Sequence, residues 1–117
     1  MNEQIDISTL TRTSNEALIL AVVSCGELHG YQIALKVEKA SKGKISFNHG
    51  TLYPILHSLE KKGYLAGRWE TGGPSRKRKY YSITEKGTKR LKQQHKGLHD
   101  LFDGVMSVLE GDENAEV

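Results

Sequence analysis

GTLYPILHSLEKKGYL, residues 50–65, is the stretch on which the fold turns. Leu52, Ile55, Leu56 and Leu59 fall at i, i+3, i+4 and i+7, one apolar stripe of a short amphipathic helix that Gly63 closes. With that stripe inward, Thr51, Tyr53, His57, Ser58 and Lys61 face water, which is an uncommon place for an aromatic and a histidine. Pro54 is tolerated where its missing N–H has no helical partner, in the first turn, so the spacing predicts an N-cap at Gly50 or Thr51. A start at Asn48 would instead make Pro54 kink the helix. The plain alternative is an ordinary surface helix with a stray tyrosine.

Working outward, the N-terminal side supplies two more helices. TSNE offers Thr13 as N-cap with Glu16 three residues on, a capping box ahead of the nearly all-apolar ALILAVV, and Gly26 ends that helix. HGYQIALKVEKASKG predicts a second helix from Gly30 to Ala40, stopped near Gly43, and ISF (residues 45–47) a short extended piece. On the C-terminal side, YLAGRWE and KYYSIT are aromatic and alternating, and the basic, turn-rich TGGPSRKR between them makes a β-hairpin with a long tip. Thr84 then caps a last helix over residues 85–109. The chain divides into a flexible N-terminal arm (1–12), a folded unit (13–84), the long helix (85–109) and an acidic, disordered tail (110–117).

Composition bounds what such a chain does. Its 117 residues suffice for one small core, and 37% apolar content is thin enough that some burial is expected from a partner chain. No run of 18 apolar residues marks a membrane span, and MNEQIDISTL is no secretory signal. The single cysteine, Cys25, makes no internal disulfide, so a reducing cytoplasm is the expected setting and a buried, inert thiol the expected state. All 17 Lys and Arg lie between residues 11 and 109 with only eight of the 14 acids, and from Pro74 to Lys92 eight bases stand against Glu85 alone. Clustered positive charge suits a polyanion such as nucleic acid, although a solvated charged face is the plainer reading.

Three helices, a hairpin and a long helix follow the plan of a winged helix-turn-helix: mostly α with a small β-hairpin, the third helix entering a DNA groove and the hairpin lying alongside. Hydroxyl and imidazole groups bond base edges, and tyrosine touches a thymine methyl or a phosphate, so the outward face of residues 51–61 is chemically suited to that task. Arg76, Lys77, Arg78 and Lys79 at the hairpin tip reach a minor groove or the phosphates. Together HGYQI, GTLYPILHSLEKKGYL and GGPSRKRKYYSITEKG resemble the PadR family of bacterial transcriptional regulators over residues 14 to about 92. The resemblance implies a winged helix-turn-helix with a single C-terminal dimerisation helix, and repression of transcription as the usual activity. By position, Tyr31 matches the tyrosine that opens the family's second helix. Thr51, Tyr53 and Pro54 match the start of the recognition helix, and Arg76 to Lys79 with Tyr80 and Tyr81 match the wing. The expected DNA contacts are therefore Tyr31, Asn48, His49, Thr51, Tyr53, His57, Lys61, Arg76, Lys77, Arg78 and Lys79. The expected partner is a double-stranded, palindromic operator.

The long helix carries its own rhythm. Leu91, Leu98 and Val105 are seven apart, Phe102 and Leu109 interleave, His95 takes the remaining slot, and Leu101 and Val108 widen the stripe. This is a coiled-coil-like seam that predicts a homodimer, the alternative being packing on the chain's own first helix. Some relatives bind planar aromatic compounds beside the dimer interface, where Phe102 and His95 stand, so a small aromatic effector is a further expectation of the resemblance. His95, His99 and Asp103 have a spacing open to a metal, but no cysteine lies near, and no metal or cofactor is expected. Trp69 reads as a packing residue. GRWETGG lacks the Gly-Lys-Ser/Thr of a phosphate loop, and there is neither a nucleophile elbow nor a carboxylate pair in a predicted cleft, so no enzyme is expected. The competing classes are a protein-interaction module with a basic wing kept for solubility, and an RNA binder, for which the hairpin offers little sheet.

Overall fold

The computed structural model describes residues 8–72 and 77–111. Element order is α1 (Ser8–Val23), β1 (Leu28–His29), α2 (Gly30–Ala40), α3 (His49–Lys61), β2 (Leu65–Thr71), β3 (Lys77–Ile83) and α4 (Glu85–Leu109). The three strands form one antiparallel sheet in the order β1-β3-β2. The architecture is the mostly helical, hairpin-bearing fold expected from the sequence.

The core is built from one stripe of each helix. Ile19, Leu20 and Val23 of α1, Ile33 of α2, and Leu52, Leu56 and Leu59 of α3 are buried together, and the sheet adds Leu28, Leu65 and Tyr81. The α3 stripe is the one its spacing predicts, with Ile55 at its margin. Lys62 caps α3, and Gly63 follows at φ +83°, where a left-handed residue is needed. The amides of Gly63 and Tyr64 turn back to the carbonyls of Glu60 and Leu59 at 3.0 and 2.9 Å, so the chain reverses directly into β2.

The long helix is fastened at its first turn. The Thr84 hydroxyl oxygen accepts the Gly87 amide at 2.9 Å, and the hydroxyl donates to the Gly63 carbonyl at 2.6 Å. Gly87 is buried so closely against the Tyr64 carbonyl that a side chain there would collide with backbone. One turn further on, Leu91 packs against the core. Gln94 is buried and donates to Glu16 of α1 at 3.2 Å, and Lys62 donates to the other oxygen of the same carboxylate at 3.2 Å.

Four local expectations are corrected. α1 begins at Ser8, not after Thr13, so residues 8–12 of the expected arm are helical. Glu16 is drawn to Lys62 and Gln94 rather than to a backbone amide at Thr13, so the apparent capping box does not form and Thr13 lies inside the helix. Residues 45–47 form no strand; the third strand is instead β1, pairing Leu28 with Tyr81 and His29 with Tyr80. Pro54 lies in the second turn of α3, where its ring removes a hydrogen bond to the Gly50 carbonyl. Cys25 is exposed, because α1 has ended before it and Gly26 turns the chain away at φ +155°. Residues 1–7 and 112–117, the rest of the expected arm and most of the expected acidic tail, lie outside the described residues, as does Arg76.

Candidate nucleic-acid interface

α3 starts on Asn48, whose side-chain oxygen accepts the Thr51 amide at 2.9 Å. That cap fixes which residues face water. Thr51, Tyr53, His57 and Lys61 are exposed along one side, and His49, the first helical residue, stacks on Tyr53 with ring centres 5.7 Å apart and planes at 10°. Asn48 is exposed as well, but its acceptor oxygen already serves the helix end. The tyrosine on the polar face has a structural reason. Its ring lies on the buried Gly30 at the start of α2, where an added Cβ would stand 2.9 Å from Tyr53 Oη and 3.1 Å from Cε1 and Cζ. Gly30 and Tyr53 are therefore one device: the missing side chain is the seat for the ring. Tyr53 keeps 38% of its surface exposed.

α2 is capped by His29. Its Nδ1 accepts the Gln32 amide at 3.4 Å, and Gln32 Oε1 accepts the His29 amide at 3.1 Å, a capping box with histidine where serine or threonine is usual. Tyr31, the next residue but one, is 58% exposed and its ring runs nearly parallel to that of His29.

The wing presents two faces. On the side turned to α3, Lys79 donates to Glu60 of α3 at 2.6 Å, passing over Gly67, and its ammonium lies 5.6 Å from the ring centres of both Trp69 and Tyr81. The hydrogen bond to Glu60 holds the Lys79 ammonium pKa above its ordinary value. Lys79, grouped by sequence with the free bases of the tip, thus locks the wing to α3. On the other face, Arg68 bonds Glu27 and Glu70 and covers the Tyr80 ring at 5.0 Å. Among the described residues Lys77 and Arg78 are exposed and make no ion pair. Trp69, expected to pack, is 65% exposed, since its strand position faces the groove between wing and α3 rather than the core.

These elements enclose an open groove of about 380 Å³ lined by His29, Gly30, Tyr31, Tyr53, Trp69, Lys77, Arg78, Lys79 and Tyr81, with no carboxylate among them. Three stretches predicted separately as DNA-contacting, around Tyr31, Tyr53 and Lys77–Lys79, meet there. His57 and Lys61 continue along α3 beyond it. His29, Gly30 and Glu60 are the residues that sequence reasoning missed, and Gln32 three residues after His29 was the available signal for the first.

The seam residues divide. Leu91 belongs to the chain's own core and Leu98 is half-buried, whereas Leu101, Phe102, Val105, Met106, Val108 and Leu109 are exposed. His95 is exposed, and His99 faces Asp103 at 3.5 Å. Among the described residues no cluster of three His, Cys, Asp or Glu is placed to hold a metal, and no helix is long and apolar enough to cross a membrane.

A helix-turn-helix whose second helix shows its polar side to solvent beside a basic wing defines the winged-helix class. Residues 19–93 match the model of the transcriptional regulator PadR-like family, and the chain belongs to that family. It is 28% identical over 88 residues to the transcriptional regulator YqjI of Escherichia coli, covering 75% of this chain and 41% of that one. It is 30% identical over 73 residues to the negative transcriptional regulator PadR of Bacillus subtilis, covering 62% and 40%. The chain thus spans about two-fifths of the curated relatives it matches. Among solved structures, a PadR family transcriptional regulator from Eggerthella lenta superposes with a TM-score of 0.76 at 32% identity, covering 91% of this chain and 90% of that one. Bacillus subtilis PadR in complex with operator DNA gives 0.62 at 28%, covering 67% and 43%.

Proposed function

We propose that this member of a transcriptional regulator family represses transcription as a homodimer on a palindromic operator. α3 enters the major groove with Thr51, Tyr53 and His57, and the wing holds the adjacent backbone or minor groove with Lys77, Arg78 and Arg76. The observation that carries this reading is the groove at the start of α2 and α3. It gathers hydroxyl and imidazole groups with Lys77 and Arg78, which make no ion pair among the described residues, while Lys79 is held by Glu60, so its donors and its two unpaired cations suit a polyanion. The operator complex of the Bacillus subtilis relative, and its description as a negative regulator, support DNA as the target and repression as the outcome.

Dimerisation is supported by the last turns of α4. Six large apolar side chains are between 42% and 79% exposed there. Covering them is worth about 5–10 kcal/mol per chain before ordering costs, at roughly 1.5–3 kcal/mol per fully buried side chain. Two-fold pairing along these stripes would carry two α3 helices to half-sites about 34 Å apart. A small planar aromatic effector, seated near Phe102 and His95 at that pairing, relieves repression in this reading.

Footprinting on the DNA around the chain's own gene, with and without candidate aromatic compounds, is the test. The expected result is a two-fold symmetric protected site bound far more tightly than random duplex, with steep salt dependence. Tyr53→Ala should weaken binding to that site far more than binding to random DNA. A protein that protects no duplex, or a Tyr53→Ala variant that loses equally on both, contradicts the assignment.

A further inference from the structure

Within the groove one contact is chemically incomplete. His29 Nδ1 accepts the Gln32 amide, so the lone pair on that nitrogen is committed and the neutral ring carries its proton on Nε2. Facing Nε2, 3.4 Å away, is Arg78 Nη1. A guanidinium has donors only, so two N–H groups point at the same space. The other tautomer moves the conflict to Gln32, and a protonated ring has no lone pair for either donor. Burial, and then the charge of Arg78, hold the imidazole pKa below its ordinary value, which keeps the ring in its neutral form. Tyr80 fixes the ring's tilt, edge-on at 5.5 Å and 80°.

The contrast with Arg68 sharpens this. Both arginines stand on the same face of the wing, but Arg68 is saturated by Glu27 and Glu70. Arg78 makes no ion pair among the described residues: Glu70 stands opposite it across the strands but is bonded to Arg68, and the side-chain nitrogen facing Arg78 is His29 Nε2. An anionic oxygen about 2.8 Å from each nitrogen closes a triangle on that 3.4 Å base and satisfies both.

We infer that His29 and Arg78 form a two-donor clamp for one backbone phosphate of bound DNA. The inference rests on the DNA-binding reading above and adds His29 to the contacting residues. Its position is distinctive: β1 and β3 bring the ring and the guanidinium together across the sheet, so the clamp exists only when the wing is docked.

The test separates the clamp from the cap. His29→Asn keeps an N-cap acceptor for Gln32, and its shorter amide stops short of the position that Nε2 occupies; Arg78→Gln removes the charge. Both are measured as full chains on a duplex selected from a random pool, with thermal melting to confirm folding. His29→Asn is expected to melt with the parent and bind about tenfold more weakly with an unchanged salt slope, the scale of a hydrogen bond to a charged group. Arg78→Gln is expected to weaken binding and to reduce the slope of log K against log salt by roughly 0.9. Replacing single phosphates by methylphosphonate should reveal one position per half-site where the parent loses affinity and the double variant does not. If the parent selects no duplex, the DNA-binding reading itself fails. If it binds but His29→Asn binds equally well and no such phosphate exists, the clamp alone is overturned.

Discussion

Gly30→Ala tests whether the ring of Tyr53 is aimed by its neighbour. The added methyl would sit 2.9–3.1 Å from the hydroxyl oxygen and two ring carbons of Tyr53, inside ordinary van der Waals contact, so the side chain must give way by several tenths of an ångström. It is able to do so because Tyr53 is 38% exposed. Displacing the side chain from its rotamer costs about 0.5–1.5 kcal/mol. Alanine in place of glycine in a helix returns up to about 1 kcal/mol, so net stability should hardly change. Binding should change, because a base or phosphate contact aimed from a displaced hydroxyl is lost. A good base contact is worth about 1–3 kcal/mol, roughly 5- to 150-fold in Kd. The assay is fluorescence anisotropy on the selected duplex beside a thermal melt. The expected outcome is a melting temperature close to the parent with weakened binding, and a Gly30→Ala/Tyr53→Ala pair no weaker than Tyr53→Ala alone. Unchanged affinity, or a collapse in stability, refutes the idea that an empty Cβ position aims the tyrosine.

Two further outcomes follow from the same geometry. Phe102→Asp with Val105→Asp places two charges in the exposed stripe of α4; sedimentation should show a single chain, and operator affinity should fall by roughly 10²–10⁴ once the half-sites are no longer bound as one unit. The imidazole of His29 titrates below its ordinary 6.5, so as pH falls the unfolded chain takes up the proton first. This contribution to stability is present above pH 6.5 and is lost as pH falls through the folded-state pKa; melts across acidic pH should show a decline that His29→Asn removes.

Where the sequence was legible, the signal was local. The span of α4 follows from Thr84 and a sustained apolar rhythm, and the end of α2 at Ala40 is where its pattern runs out. The α3 stripe was legible for the same reason. What escaped was decided by distant partners. β1 is two residues long and exists only because Tyr80 and Tyr81, some fifty residues on, supply its ladder. The capping box read at Thr13 does not form because Lys62 and Gln94, far along the chain, take the Glu16 carboxylate. Lys79 reads as one of four consecutive bases until Glu60, on another element, turns it inward. Pro54 looked like a first-turn residue because nothing in a short window shows that Asn48, six positions earlier, wins the cap.

The same distant pairings hold together the residues proposed to contact DNA. Tyr53 is seated by a glycine of α2, Lys79 ties the wing to the underside of α3 through Glu60, and His29 meets Arg78 across the sheet. Each pair joins two elements that touch different parts of the proposed DNA surface. Exposed surface groups alone would be free to wander, and surface ion pairs typically contribute little. Here one partner of each pair is wholly or partly buried, and Lys79 is only 20% exposed. The groups proposed to contact DNA are thus held in register in the free protein, which would reduce the ordering that binding must supply. Loosening one pair should therefore weaken recognition at positions the altered residue never touches.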